Sequence, residues 1–534
     1  MHSGSDLKLD EGIQKLVQQI DKKLDFEVFV SLSCHNCPDV VQALNQFALI
    51  NTNISAEMID GGLFKEIVEE RDIQGVPSVY LNGEVFANGK VDPSTLIEKL
   101  IELEPDLAVM SEETPELPTQ DVIIIGGGIG GLATALALHD IGLKPRIFEQ
   151  AKEMKPLGVG INLLPHAVRE LTELGLLEQL KATGVALEEL RFYTKFGLEI
   201  QREARGTKAG YNWPQFAIHR GELQMLLYDA VRARLGNDCV KTGYKAIDVS
   251  QDARKATVYF QDPTNENNRI QETADLVIAA DGIHSLIRQK YYPEEGPLLY
   301  AGINLWRGTT RQPAFHTGRT MVLAGTLQTG KMVIYPISPD NEKGETLINW
   351  VAEVRTDTYK NNDWNRPGHI SDFAHLFDDW KFDWLDVPSM IKNADRINEY
   401  PMVDRDPIDR WHFDRLVLLG DAAHPMYSIG ANGAGQAILD ARTLAGLLKS
   451  MDNPMDALKA YEADRLPTTS NVVRANRGEG PDHLLEIVAD RAPAPVKTIH
   501  DVISQKEIES IGAKYRKITG YDMETLNNRA SLVP

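Results

Sequence analysis

Four apolar residues, Val122-Ile-Ile-Ile125, run without a break into Gly126-Gly-Gly-Ile-Gly-Gly131, and a helical pattern follows. This reads as a buried strand, a turn too tight for side chains, and a helix whose amino end faces out of that turn. Gly126, Gly128 and Gly131 stand in the spacing G-x-G-x-x-G. Backbone without side chains lets a pyrophosphate approach closely, and the helix start offers unpaired N–H groups and a positive dipole end. Glu149 closes the next apolar strand about 20 residues on, where a carboxylate reaches ribose hydroxyls. The pair points to a dinucleotide in a Rossmann-type unit but does not separate FAD from NAD. The stretch Val122 to Leu138 is near transmembrane length, yet its five glycines favour the strand, turn and helix over a membrane span.

The chain has 534 residues, enough for roughly three folding units. Lys+Arg of 56 against Asp+Glu of 77 leaves a net charge of -21, which repels phosphate backbones and anionic headgroups and excludes nucleic acid as a partner. The segment Met1 to Gly12 lacks the basic and then apolar regions of a secretory signal, so the expected compartment is the cytoplasm, with no stable membrane insertion. Hydropathy and punctuation divide the chain. Residues 1–104 form a small α/β unit and 105–120 an acidic, proline-bearing linker. Residues 121–190, 213–300 and 401–480 form the nucleotide-binding unit. Alternating, β-branched segments at 191–212 and 301–400 form an inserted antiparallel sheet that walls a substrate site. Residues 481–534 are a helical tail. The fold class is α/β.

Only three cysteines are present, which excludes a disulfide framework. Cys34 and Cys37 form C-x-x-C between an apolar run and a helical pattern, so Cys34 sits at a helix amino terminus that favours thiolate, and Cys37, one turn on, resolves a mixed disulfide. Gly75-Val76-Pro77 offers a cis proline opposite the pair. Half a zinc site or two buried cysteines are the other readings, but zinc needs further ligands, and no metal site is assigned. The stretch from about Leu24 to Leu103, with Ser31-Leu-Ser-Cys-His-Asn-Cys-Pro-Asp39, Ile59-Asp-Gly-Gly62 and Gly75-Val-Pro-Ser78, resembles the thioredoxin-like half of the amino-terminal domain of the alkyl hydroperoxide reductase flavoprotein subunit. The resemblance implies a thioredoxin-like fold whose dithiol serves a peroxiredoxin partner. This sequence departs from that family in having no second C-x-x-C after Cys37.

Two later motifs sharpen the nucleotide site. Ala279-Ala-Asp-Gly-Ile-His-Ser-Leu-Ile-Arg288 and Leu416-Val-Leu-Leu-Gly-Asp-Ala-Ala-His424 each end an apolar strand on a carboxylate, and strand ends are where ligands bind. Asp421 there can hold a ribose-type hydroxyl, and Gly430-Ala-Asn-Gly-Ala-Gly-Gln436 opens a long helix. Residues from about Asp121 to Arg477 resemble the single-component flavoprotein aromatic hydroxylases, in particular the phenazine and hydroxybenzoate branch. The resemblance implies FAD, with NADH or NADPH as co-substrate and O₂ as the oxygen source for an aromatic ring. It further implies that Gly126, Gly128, Gly131 and Glu149 hold the adenosine end, that Arg220 contacts the cofactor and that Asp281 belongs to a motif shared by FAD and NAD(P)H. Asp421 would hold the ribityl chain, with Gly433 and Ala434 flanking the isoalloxazine. Ser428 stands where that branch usually has proline. Trp306, Arg307, Tyr335, Trp350 and Met426 are candidates for the substrate wall, although aromatic and Met residues on a sheet are more often core. His424 reads as a packing residue rather than a general base. A second reading makes the chain an NAD(P)H-driven thiol-disulfide reductase.

Overall fold

The computed structural model describes residues 9, 11–18, 20, 22–31, 34, 37–89, 91, 95–96, 99–100, 120–265, 268–357, 366–478, 483–518 and 522–534. Nearly all of the linker expected at 105–120 lies outside the described residues. The chain divides into two compact units, Met1–Thr119 and Gln120–Pro534.

The first unit is a four-stranded sheet in the order Ile54–Asp60, Leu24–Val30, Ser78–Leu81, Glu84–Asn88. The first pair is parallel and the other two are antiparallel. The helix Cys37–Ile50 buries Val40, Ala43, Leu44 and Phe47, a spacing that places them on one face against the sheet. The same helix carries Cys37 in its first turn.

In the second unit the apolar runs become a six-stranded sheet. Its order is Val240–Thr242, Arg146–Glu149, Val122–Ile125, Leu276–Ala279, Leu416–Leu418 and His412–Phe413, parallel except for the last hairpin. A parallel sheet covered on both faces needs strands that are apolar throughout, and Val122–Ile125, Leu276–Ala279 and Leu416–Leu418 are buried at every position. The helix Ile129–Asp140 is apolar nearly all round, because it packs against both Arg220–Leu235 and Gly433–Ser450.

A seven-stranded sheet forms the other half of this unit. Its order is Glu199–Ala204, Glu189–Tyr193, Thr320–Thr326, Gly330–Pro336, Glu345–Arg355, Leu299–Pro313, Arg396–Asp404. The expectation of a wholly antiparallel sheet needs one correction: Glu189–Tyr193 and Thr320–Thr326 run parallel. Between them the chain returns through the six-stranded sheet, and so long a connection is not bound to the hairpin geometry that makes neighbours antiparallel.

The tail does not stand apart from the second unit. Leu484, Leu485 and Val488 of the helix His483–Arg491 pack on Leu190, Phe192, Ile200 and Leu323 of the large sheet. Further on, Arg529 pairs with the fully buried Glu170. Among the described residues no helix is long and apolar enough to cross a membrane.

Candidate functional site

The glycine turn shows why no other residue stands there. Gly126 has φ +109, and a Cβ on it would lie 2.3 Å from the Ala280 carbonyl oxygen. A Cβ on Gly131 would lie 2.0 Å from the Gly126 oxygen. Those two positions are closed by backbone, whereas a Cβ on Gly128 would meet nothing within 4 Å. Gly128 is also the N-cap of Ile129–Asp140 and makes no side-chain cap, so the first N–H groups of that helix have no intrahelical partner. The turn is therefore bare toward open space and tight toward the protein. Glu149 sits beneath it: one carboxylate oxygen accepts from the Gly127 N–H at 2.7 Å and the other from the Ala151 N–H at 2.7 Å.

A cavity of about 420 Å³ opens at the carboxyl ends of the parallel strands. Gly128, Ile129 and Gly130 line it on one side and Arg220 on another. Asp421 projects into it from the short turn that follows Leu416–Leu418. Asp421 is exposed to the cavity space. Burial pushes this carboxyl above its ordinary value, against the opposing pull of His424 and Arg220. The helix Gly433–Ser450 brings Gly433 and Ala434 to the same space, again without a side-chain cap. A Cβ on Gly433 would lie 3.9 Å from Asp421 Oδ1, which places that helix start beside the carboxylate.

Asp281 stands just behind this wall: its neighbours Ala280 and Gly282 line the cavity and it does not. Its Oδ2 accepts from the Leu286 N–H at 3.0 Å, whereas Oδ1 is buried without a hydrogen-bond partner. Burial raises its pKa to about 6.

His424 is also absent from the lining, and its environment explains its position. Its Nε2 lies 2.5 Å from Asp440 Oδ2, and Arg465 Nε donates to Asp440 Oδ1 at 2.7 Å. The Gly420 N–H also reaches Asp440 Oδ2, at 3.1 Å. One fully buried carboxylate thus ties the Asp421 turn to the helix that carries Gly433 and Ala434. Burial alone would raise its pKa, but His424 and Arg465 hold it down to about 2. Sequence reading missed Asp440; the signal was a lone carboxylate in the otherwise apolar Ala437-Ile-Leu-Asp-Ala441.

The large sheet supplies the remaining wall by strict alternation. On Gly330–Pro336, Lys331, Val333 and Tyr335 line the cavity, while Met332 and Ile334 belong to the core on the opposite face. On Glu345–Arg355, Val351 and Glu353 face the cavity and Trp350 and Ala352 face away. The same parity puts Arg307 in the lining and Trp306 behind it. Of the candidate residues, Tyr335, Arg307 and Met426 line the cavity, and Trp306 and Trp350 do not. Trp306 stacks on Phe373 at 5.2 Å, and the Trp350 indole donates to Thr310 Oγ1 at 3.0 Å. Side chains one position apart on a strand point to opposite faces, and the bulkier member of each pair went into the core. Lys331, Glu353, Arg205 and Gln215 also line the cavity, and sequence reading passed over them. The Arg307 guanidinium donates to the Gly160 carbonyl at 2.6 Å, and Asn349 Oδ1 accepts from the Gly160 N–H at 2.7 Å. These two contacts dock the Tyr335 end of the sheet onto the nucleotide-binding half.

In the first unit Cys34 and Cys37 form a disulfide. Cys34 Sγ accepts from the Cys37 N–H at 3.1 Å and lies 3.7 Å from the Val76 carbonyl oxygen, beside the cis Val76–Pro77 bond. Among the described residues no group of His, Cys, Asp and Glu is arranged to hold a metal ion.

Residues 119–476 match the family model described as FAD binding domain. The phenazine 1,6-dicarboxylic acid hydroxylase PhzS of Lysobacter antibioticus is 44% identical over 403 residues, which cover 74% of this chain and 97% of that protein. The chain belongs to the FAD-dependent monooxygenase family. A solved structure of Klebsiella pneumoniae HpxO with FAD and uric acid shares the fold at TM-score 0.58 and 23% identity, covering 77% of this chain and 95% of that one. Ahead of the monooxygenase portion, residues 24–102 match the thioredoxin domain model. The alkyl hydroperoxide reductase F protein of Pseudomonas aeruginosa is 42% identical over 136 residues, 25% of this chain and 25% of that protein.

The residues present fit FAD. Two uncapped helix starts face one cavity, the turn between strand and helix rejects a Cβ on its protein side and leaves Gly128 open, and the Asp421 carboxylate lines the same space. Anionic and hydroxyl-bearing portions of a dinucleotide are what such groups hold.

Proposed function

We propose that this monooxygenase hydroxylates an aromatic or heteroaromatic small molecule with NAD(P)H and O₂. The observation that carries the reading is the junction of two surfaces in one cavity: helix starts and Asp421 on one side, and an alternating sheet wall containing Met321, Leu323, Val333 and Val351 on the other. A planar apolar ring fits the second surface as the polar cofactor fits the first. When bound, FAD supplies electron transfer from NAD(P)H and activation of O₂.

The chain's own residues bind, orient and exclude water. In this reading Gly126, Gly128 and Gly131 leave room for the pyrophosphate against the helix N–H groups. Glu149 takes the adenosine ribose hydroxyls; its carboxylate has lone pairs beyond those occupied by Gly127 and Ala151. Arg220 contacts the cofactor, Asp281 shapes the turn beside it, and Asp421 accepts from the ribityl chain. Gly433 and Ala434 present N–H groups to the ring system, where negative charge is best tolerated. Tyr335, Arg307 and Met426 border the reacting end, and the loop from Met426 to Ala431 closes the space against water. The assignment of 121–190, 213–300 and 401–480 to the cofactor and of 191–212 and 301–400 to the substrate follows this division.

The thioredoxin-like unit, in this reading, exchanges its Cys34–Cys37 disulfide with a thiol protein, a peroxiredoxin being the first partner to examine. The similarity to the alkyl hydroperoxide reductase F protein supports it. A reductase driven from the flavin is less supported, since this sequence has no second C-x-x-C after Cys37. We place both activities in the cytoplasm, where NAD(P)H and reduced thiols are supplied.

The test is turnover of a panel of phenazine and benzoate carboxylic acids with NADH or NADPH, read by mass spectrometry. A product one oxygen heavier, formed only with reductant and air, supports the proposal. NAD(P)H consumption with every compound returned unchanged would sink it.

A further inference from the structure

The cavity wall contains a charged pair that holding FAD does not require. Lys331 and Glu353 are direct cross-strand partners, 2.8 Å apart, with side chains only 3% and 7% exposed, and both line the cavity. Their strand neighbours on the same face are Val333 and Val351, so an unbroken apolar floor was available at no cost in register. Burying a lysine and a glutamate costs desolvation that their attraction only roughly repays, and replacing such a pair by apolar residues is often neutral or stabilising. The pair therefore calls for a reason other than stability.

Its place supplies one. Tyr335 marks the end of the strand docked on the nucleotide-binding half, through Arg307, Asn349 and Gly160. Lys331 lies four residues away on the same face, about 13 Å at strand rise. That is the far end of an elongated slot, with Val333 between. Arg205 also lines the cavity, paired with Glu203 at 2.7 Å, and Glu203 is not in the lining. On the sheet side the lining thus presents Arg205, Arg307 and Lys331 against the single carboxylate of Glu353, inside a protein of net charge -21.

We propose that Lys331 and Glu353 are specificity-determining residues that read an anionic substituent at the end of an elongated, multi-ring substrate remote from the reacting ring. Lys331 donates to the substituent, and Glu353 holds the ammonium in place and sets how much negative charge the slot accepts. This assignment rests on the aromatic hydroxylase reading above. It names the substrate class as planar polycyclic carboxylates rather than neutral polycycles or single-ring phenols.

The test compares phenazine-1-carboxylate with its neutral isostere phenazine-1-carboxamide on the FAD-loaded protein. Dissociation constants come from the perturbation of flavin absorbance, and turnover is measured alongside. Lys331→Met is expected to weaken the carboxylate about 10-fold or more, the scale of one charge-assisted hydrogen bond, and to move the carboxamide no more than about 2-fold. Glu353→Gln is expected to tighten the carboxylate relative to the carboxamide. The double variant Lys331→Met/Glu353→Leu leaves no unpaired buried charge, so it keeps the comparison valid if a single variant folds poorly. It should bind the carboxamide at least as well as wild type and the carboxylate poorly. Equal losses for both compounds in Lys331→Met and in the double variant, in a protein that still hydroxylates an aromatic compound, would overturn this assignment alone. Wild-type protein that binds neither phenazine would overturn this assignment alone if it hydroxylates a member of the wider phenazine and benzoate panel, and the hydroxylase reading with it if it hydroxylates none.

Discussion

The two units place their chemistry in different ways. In the thioredoxin-like unit the disulfide joins two residues three apart in sequence, Cys34 just ahead of a helix and Cys37 in its first turn. In the monooxygenase unit the site is a space, bounded by residues from Gly128 to Ala437 that come from the glycine turn, the large sheet, the Asp421 turn and the start of the helix Gly433–Ser450. In the first unit a defect is expected from losing a side chain, in the second from adding one at Gly128, where a Cβ would meet nothing and would project into open space.

The largest effect expected from that contrast is in Gly128→Asp. The carboxylate would project where a pyrophosphate must lie, against helix N–H groups that it would itself occupy. Purified protein should be colourless and should bind no added FAD in a fluorescence titration; retained yellow colour would refute the placement of the site. Cys34→Ser, by contrast, should abolish disulfide exchange with a reporter disulfide while the flavin spectrum persists.

Next in size is the buried tie behind the cavity. Asp440→Ala leaves His424 and Arg465 without their shared carboxylate, and losing one member of a buried pair costs about 3–5 kcal/mol. Denaturant unfolding of the flavin-bearing unit should show a loss of that order, and no measurable change would mean that the network is not holding the Asp421 turn.

The parity of the sheet wall is tested by a pair of variants. Trp350→Phe shrinks a core side chain and should cost about 1–3 kcal/mol of stability with the substrate constants unmoved. Tyr335→Phe removes only a hydroxyl, yet it faces the cavity and should lower kcat/KM about 10-fold. The reverse pattern would mean that the sheet presents its other face.

A separate effect is expected in acid. Burial holds the enclosed His166 ring down to about 3, against an ordinary 6.5, so the unfolded chain takes up a proton first as the pH falls. Stability present above pH 6.5 should decline steadily toward pH 3. Asp440, held at about 2 against 3.8, adds a second loss below pH 3.8. Thermal midpoints across this range should fall in two stages, and His166→Asn should flatten the upper one.

Much of this was legible because the informative residues are adjacent in the chain. The strand, turn and helix from Val122, the carboxylate at Glu149, the C-x-x-C and the strand-end motifs at Asp281 and Asp421 each fit within a short window where spacing narrows the physical readings to a few. The sheet wall was harder to read. Trp306 and Arg307, or Trp350 and Val351, are neighbours in sequence, and only knowledge of which face a second layer covers tells which of each pair faces the cavity. Lys331 and Glu353 become a pair through strand register alone, 22 positions apart. Asp440, His424 and Arg465 meet through helix packing that no local pattern encodes. The seam between the parallel strand pair of the large sheet was likewise hidden, because its two strands are separated by more than a hundred residues.

The most direct test follows where electrons go. FAD-loaded protein is reduced anaerobically with NADPH or NADH in the presence of a polycyclic aromatic carboxylate; flavin absorbance and the thiol titre of Cys34 and Cys37 are followed, and air is then admitted. The flavin is expected to bleach while Cys34 and Cys37 stay oxidised, and air is expected to restore the colour and yield product carrying one added oxygen. Bleaching that passes on to free thiols at Cys34 and Cys37, with no oxygenated product after air, would contradict the hydroxylase reading.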